Sequence, residues 1–186
     1  MISFAFVALS AVGAGACVSS AAYTSRVQQA NPISTGQMLT VNGHGVNVLT
    51  AGTDGPPVLM IHGASANARE FSWTLAPRLD SEYRVLMADR PGHGYSERFE
   101  GADALGGQAW YNGLSASPVI GPVFTQLVPT VGPAQVKAGI NGVFDPAPVP
   151  ENYFENSAIG LLFRPPNFRA NAKDVRALEA ELAAQS

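Results

Sequence analysis

The chain has 186 residues, enough for one sizeable domain with its own core, and only 13 % of them are charged, against a typical ~25 %. A formal net charge of −3 with scattered arginines leaves no footprint for a nucleic-acid partner. The single cysteine, Cys17, rules out an internal disulfide, and no CxxC, HExxH or Cys/His cluster points to a metal or cofactor. A globular protein that handles small molecules is the reading these numbers favour.

From Ile2 to Ser25 no side chain is charged, and the first charge is Arg26. The stretch is just long enough for a membrane-spanning helix, which needs roughly 20 apolar residues. Ile2 to Val12 also suits the apolar region of a signal peptide, and Ala14-Gly15-Ala16 a cleavage site, although no basic residue precedes them. Residues 1–25 are therefore expected to be an apolar helix that anchors the protein in a membrane or exports it, which places the rest in the cell envelope. Residues 26–36 read as a linker.

Gln37 to Gly52 holds two β-rich runs flanking Asn42-Gly43, a strong hairpin signal. His44 sits beside that turn as a solvated residue. Val58 to Ile61 is a continuous apolar run, the pattern of a strand buried on both faces in a parallel sheet. Asn67 can cap the next helix with Glu70 as its capping-box partner, and Phe71, Leu75 and Leu79 give that helix an apolar face. Tyr83 to Ala88 reads as a second buried strand. Strand, loop, helix and strand make a βαβ unit, so the class is α/β with a parallel sheet. Ligands in such sheets gather at the carboxyl ends of the strands, where the chain places His62–Asn67 and Ala88–Arg98.

Two segments, His62-Gly63-Ala64-Ser65 and Asp89-Arg90-Pro91-Gly92-His93-Gly94-Tyr95-Ser96, stand one helix and one strand apart. Together they resemble the α/β-hydrolase family, over Gln37 to about Gly106. The resemblance implies an oxyanion loop after the family's third strand, with Gly63 letting the backbone come close and the Ala64 N–H donating. One such donor lowers an acyl-transfer barrier by about 2.7–4 kcal/mol. It also implies that His62 orients the loop, that Asp89 and Arg90 tie down the second segment by hydrogen bonds and an ion pair, and that Gly92 and Gly94 supply backbone geometry other residues resist.

The family's nucleophile belongs on a G-x-S-x-G elbow, and no such motif exists in this chain. Gly94-Tyr95-Ser96 lacks the final glycine and lies in a different loop, so Ser96 is not expected to be the nucleophile; Ser115 and Ser117 also lack an elbow. No histidine follows His93. Between Ser96 and Trp110 there is no room for the helix and strand that should carry the elbow, a shortfall on the order of 50–70 residues. No catalytic residue is identifiable, and a sheet lacking those strands should expose apolar edges and fold poorly.

Nine of the fourteen prolines follow Ser117, and the apolar residues there come in short bursts. This reads as short helices broken by proline and, by resemblance, as the lid that such hydrolases insert above the sheet. Trp110, Tyr111, Phe124, Phe144, Tyr153, Phe154 and Phe163 would line an apolar pocket or form the lid's own core. Pro165-Pro166 should end one element. Asn171 should cap a last helix, with Asp174 in its first turn and Val175, Leu178 and Leu182 as its stripe.

The expected organisation is a partial α/β-hydrolase parallel sheet over 37–108 and a helical lid, with the start of a return to the core, over 109–186. By resemblance, the intact form hydrolyses a carboxylic ester or similar small apolar substrate by nucleophilic acyl transfer, and this chain as written is inactive. One alternative is a non-catalytic, membrane-tethered binding protein. Another is an epoxide hydrolase- or dehalogenase-like member with an aspartate nucleophile, although His62–Asn67 lacks the proline those relatives often carry.

Overall fold

The computed structural model describes the backbone of residues 2–99 and 110–185, and side chains over 13–99 and 112–177. Four strands form one sheet in the order β1-β2-β4-β3: β1 (Gln37–Val41), β2 (His44–Ala51), β3 (Pro57–Ile61) and β4 (Arg84–Ala88). The hairpin forms where the Asn-Gly pair puts it. Asn42 and Gly43 both take positive φ, 51° and 84°, the geometry that matches strand twist in a two-residue turn, and Val41 pairs with His44. β2 runs antiparallel to β4, and β3 runs parallel to it with Val58 opposite Val85. The sheet is therefore mixed, with one parallel pair inside an α/β fold.

Two sequence expectations change here. The connection between β3 and β4 holds only a four-residue helix, α2 (Arg69–Ser72), and a 3₁₀ turn at Ala76–Arg78. Asn67 does not cap a long helix: its Oδ1 accepts the Arg69 N–H at 3.0 Å, and Pro77 interrupts any continuation. Phe71 and Leu79 still pack on the sheet with Leu49, Met60, Val85 and Met87, while Leu75 is exposed. Second, β3 is an edge strand and is not buried on both faces. Val58 and Met60 face the α2 side, but Leu59 and Ile61 are each 60 % exposed, because among the described residues no strand lies beyond β3 and nothing covers its second face.

The first helix, α1 (Ile2–Ala30), continues past Ser25 into the stretch read as linker. Tyr23 and Val27 are buried in a cluster with Val128, Leu161 and Phe163, and the Tyr23 hydroxyl donates to the Gly160 carbonyl at 3.1 Å. Among the described residues no helix is long and apolar enough to cross a membrane.

The second half is helical: α3 (Trp110–Ala116), α4 (Gly121–Phe124), α5 (Val128–Phe144), α6 (Tyr153–Asn156), a 3₁₀ turn at Ile159–Phe163, and α7 (Pro165–Gln185). α5 is longer than the proline pattern suggests and carries Pro133 within it. Pro165-Pro166 follow the end of the 3₁₀ turn at Phe163, as expected, and Pro165 also opens α7, since a first-turn proline has no N–H bond to lose. Asn171 and Asp174 consequently sit inside α7 and cap nothing. Val175 is buried; Leu178 and Leu182 lie outside the described side chains.

Candidate functional site

The loops that leave β3 and β4 are bound to each other through His62. Its Nε2 lies 3.0 Å from the Arg90 N–H, which can only donate, so Nε2 is the unprotonated nitrogen and Nδ1–H faces the Gly63 carbonyl at 2.8 Å. The ring is 2 % exposed, and burial lowers its pKa from 6.5 to about 4. It is a neutral imidazole with both nitrogens engaged.

Asp89 organises the second loop. Its carboxylate accepts the Ala68 N–H at 2.8 Å, the Asn47 Nδ2 at 2.7 Å and the Tyr95 N–H at 3.0 Å. The ion pair of this segment is made by Arg90, and not with Asp89. Arg90 pairs with Asp174 of α7 at 3.2 Å, and Arg98 pairs with the same carboxylate. Asp89 is already served by neutral donors, so the arginines reach the acid that arrives from 84 residues away. A Cβ on Gly94, whose φ is +49°, would land inside the Asp89 carboxylate. Gly92 also has positive φ, 78°, and its carbonyl accepts from Asn167 at 3.0 Å. Arg164 donates to the Gly94 carbonyl and stacks over the Tyr95 ring.

Ser96 is internal to this network. Its hydroxyl donates to the Asp89 carbonyl at 2.7 Å and accepts the Asn47 N–H at 2.9 Å. His93 is buried beside His62, with ring centroids 5.3 Å apart, and its ring nitrogens face the Pro91 carbonyl and Asn171. Burial pushes its pKa down.

Above the first loop lies a chamber of about 850 Å³. Ala64, Ser65 and Ala66 form one wall, and α5 with residues 159–163 forms the other. Of the aromatics expected here, Phe124, Phe144, Tyr153 and Phe163 line the chamber. Phe154 instead stacks on Phe163, 6.4 Å between centroids, and Trp110 and Tyr111 lie outside the described side chains. The Ser65 N–H and hydroxyl are both held by Asn171 Oδ1, at 3.0 and 3.2 Å. The neighbouring Ala64 N–H has no hydrogen bond among the described residues.

Sequence reasoning assigned Asn171, Asp174 and Glu70 to helix starts, whereas the fold turns them to the chamber and the loops. Their partners are remote in sequence, 106 residues for Asn171 and Ser65, so no local spacing could have found them.

Residues 56–104 match the family described as the alpha/beta hydrolase fold. The Magnesium-chelatase 30 kDa subunit of Rhodobacter capsulatus is 43 % identical over 47 residues, 25 % of this chain and 16 % of that protein, so the chain spans about one sixth of this curated relative's length. Two solved structures extend the likeness to the second half. An alpha/beta hydrolase fold protein from Burkholderia ambifaria is 18 % identical, with TM-score 0.53 over 79 % of this chain and 73 % of that one. A Pseudomonas aeruginosa protein with a provisional epoxide hydrolase assignment is 17 % identical, with TM-score 0.52 over 80 % and 74 %. At these identities the likeness is one of fold. The class is thus an α/β sheet with its helices on the α/β-hydrolase plan. The family match itself rests on residues 56–104, and over the rest of the described chain the likeness to α/β hydrolases is one of fold.

Proposed function

We propose that the intact form of this protein cleaves a carboxylic ester or similar small apolar substrate by acyl transfer. In this reading the present residues supply the oxyanion loop and an apolar ligand chamber, and no nucleophile. The observation that carries it is the 850 Å³ chamber with Ala64 in its wall. An unengaged N–H beside an apolar space is what a developing oxyanion needs, and a largely apolar concavity with few polar groups is the usual form of a small-molecule site. Acyl transfer also needs a nucleophile, a base and an orienting acid. Ser96 is locked between Asp89 and Asn47 outside the chamber wall, and His62 has both nitrogens occupied. The chain as written therefore binds apolar ligands without turning them over.

The test combines binding and turnover on the full chain. N-phenyl-1-naphthylamine, a neutral dye, should brighten on entering the chamber, while p-nitrophenyl butyrate should be hydrolysed no faster than in buffer. Ester turnover abolished by Ser96→Ala would overturn the assignment of Ser96 as structural, and a dye that stays dark would overturn the chamber. We also propose envelope placement through α1. Its uncharged sequence from Ile2 supports this, and the burial of Tyr23 and Val27 leaves only the earlier turns for lipid. Full recovery of a reporter fused to residues 1–30 from the soluble fraction would refute it.

A further inference from the structure

Among the described residues that line the chamber, one carries a formal charge. Glu70 opens onto a wall otherwise made of aliphatic, aromatic and uncharged polar residues. Among the described residues no cation neutralises it: the neighbouring Arg69 turns away, donating to the Pro32 carbonyl at 3.0 Å and the Thr35 hydroxyl at 2.7 Å. The side chain beside it is Tyr153, a lining residue whose hydroxyl favours the Glu70 carboxylate. The Tyr153 ring is held by packing, edge-on to Phe144 at 4.9 Å and to Trp73 at 6.0 Å, and the Trp73 Nε1–H donates to the Ser157 hydroxyl at 3.2 Å. One hydroxyl can supply one donor, and a carboxylate has room for about four. Acceptor capacity therefore remains in an apolar space, where an unmet charge is costly. Burial raises the Glu70 pKa, the sign of a carboxylate short of partners.

We propose that Glu70 selects the ligand of this chamber by charge, taking an aliphatic chain with a cationic or hydrogen-bond-donating head, an alkylammonium foremost, over an alkyl carboxylate of the same length. The proposal rests on the chamber being a ligand site. A charge-assisted hydrogen bond contributes about 1.5–3 kcal/mol, which converts to roughly tenfold to hundredfold in affinity.

The experiment displaces N-phenyl-1-naphthylamine from the full chain with decylamine, decan-1-ol and decanoate at pH 8. The expected order is amine, then alcohol, then carboxylate, with about tenfold or more between the ends. Displacement by the alcohol with equal constants for amine and carboxylate overturns the selection and leaves the chamber standing. Failure of the dye and of the alcohol to bind overturns the chamber itself, and the selection with it. In Glu70→Gln the preference should collapse to within about twofold, since the charge that separates the two heads is gone. A preference that persists in a variant melting like the parent assigns it elsewhere. Tyr153→Phe keeps the charge and should keep the preference; its loss there would move the discrimination to the tyrosine.

Discussion

The sheet half, 37–99, and the helical half, from 110 onward, are held together by different physics. In the first, buried polar groups interlock. Asp89 takes three donors, His62 joins two loops, and Ser96 bridges Asp89 to Asn47. Such a network tolerates little, because each lost partner leaves a buried donor or acceptor unmet at about 1–3 kcal/mol. In the second half, Leu161, Phe163 and Val128 make apolar contacts around a chamber that already contains space. Apolar contacts are non-directional and that space can absorb movement, so geometry there is specified less tightly.

The same substitution made once in each half tests this difference most strongly. In Gly94→Ala the new methyl collides with the Asp89 carboxylate while the backbone stays at φ +49°; neither the acid nor the loop can yield without breaking the three bonds. A loss of about 4 kcal/mol or more is expected, seen as disappearance of the cooperative urea transition. In Gly132→Ala the methyl meets the Phe163 ring, which borders the chamber and can swing into it. The expected cost is about 1–2 kcal/mol with the transition preserved. Equal costs would mean that the two halves do not differ in this way.

Next comes pH. The folded pKa of His62 is about 4 against 6.5 for the free side chain, so the unfolded state binds more protons between these values. Stability from this group is full above pH 6.5 and falls as pH drops toward 4. The limiting loss is about 3 kcal/mol, and His93, shifted the same way by burial, adds to it. Urea denaturation at pH 7.5 and 4.5 should show the decline, and His62→Gln should flatten it. A decline that is the same in the variant would assign the pH dependence to other groups.

How much was legible follows the same division. The hairpin at Asn42-Gly43, the strands at 58–61 and 84–88 and the two glycine-rich loops depend on local signals, turn chemistry and short apolar runs, which one stretch of sequence contains. The exposure of β3 was not legible from its own residues, because burial is a property of neighbours: Val58 to Ile61 would read the same with or without a strand beside it. Pro165-Pro166 did end the preceding 3₁₀ turn, but the same ring also suits a helix's first turn, so the last helix starts at Pro165 and not at Asn171. Asn171 and Asp174 fit a helix start by residue type, and only the fold reveals that both reach back to the loops of the sheet.

Asp174 joins the halves alongside Asn171, Asn167 and Arg164, and its removal should loosen α7 from the sheet. Its carboxylate is 3 % exposed, but Arg90 and Arg98 are 13 % and 22 % exposed, so water can take over part of what the arginines lose. Asp174→Asn is expected to cost about 2 kcal/mol, below the full penalty for breaking a buried pair. Hydrogen exchange should show α7 opening ahead of β2 and β4; simultaneous exchange of both would mean that the halves unfold as one unit regardless of this contact.

The smallest effect on stability is expected at the edge of the sheet. Leu59 and Ile61 are mostly in water already, so Leu59→Thr and Ile61→Thr remove little burial and keep or nearly keep strand preference; the expected change is within about 0.5 kcal/mol. Their effect on association should be much larger. Among the described residues β3 has a free edge and an apolar outer face, the combination that recruits strands from other chains. The double variant should therefore remain monodisperse in light scattering at concentrations where the parent aggregates. If parent and variant aggregate alike, the sticky surface lies elsewhere. If the variant also loses stability by several kcal/mol, β3 is covered in solution and the sheet does not end there.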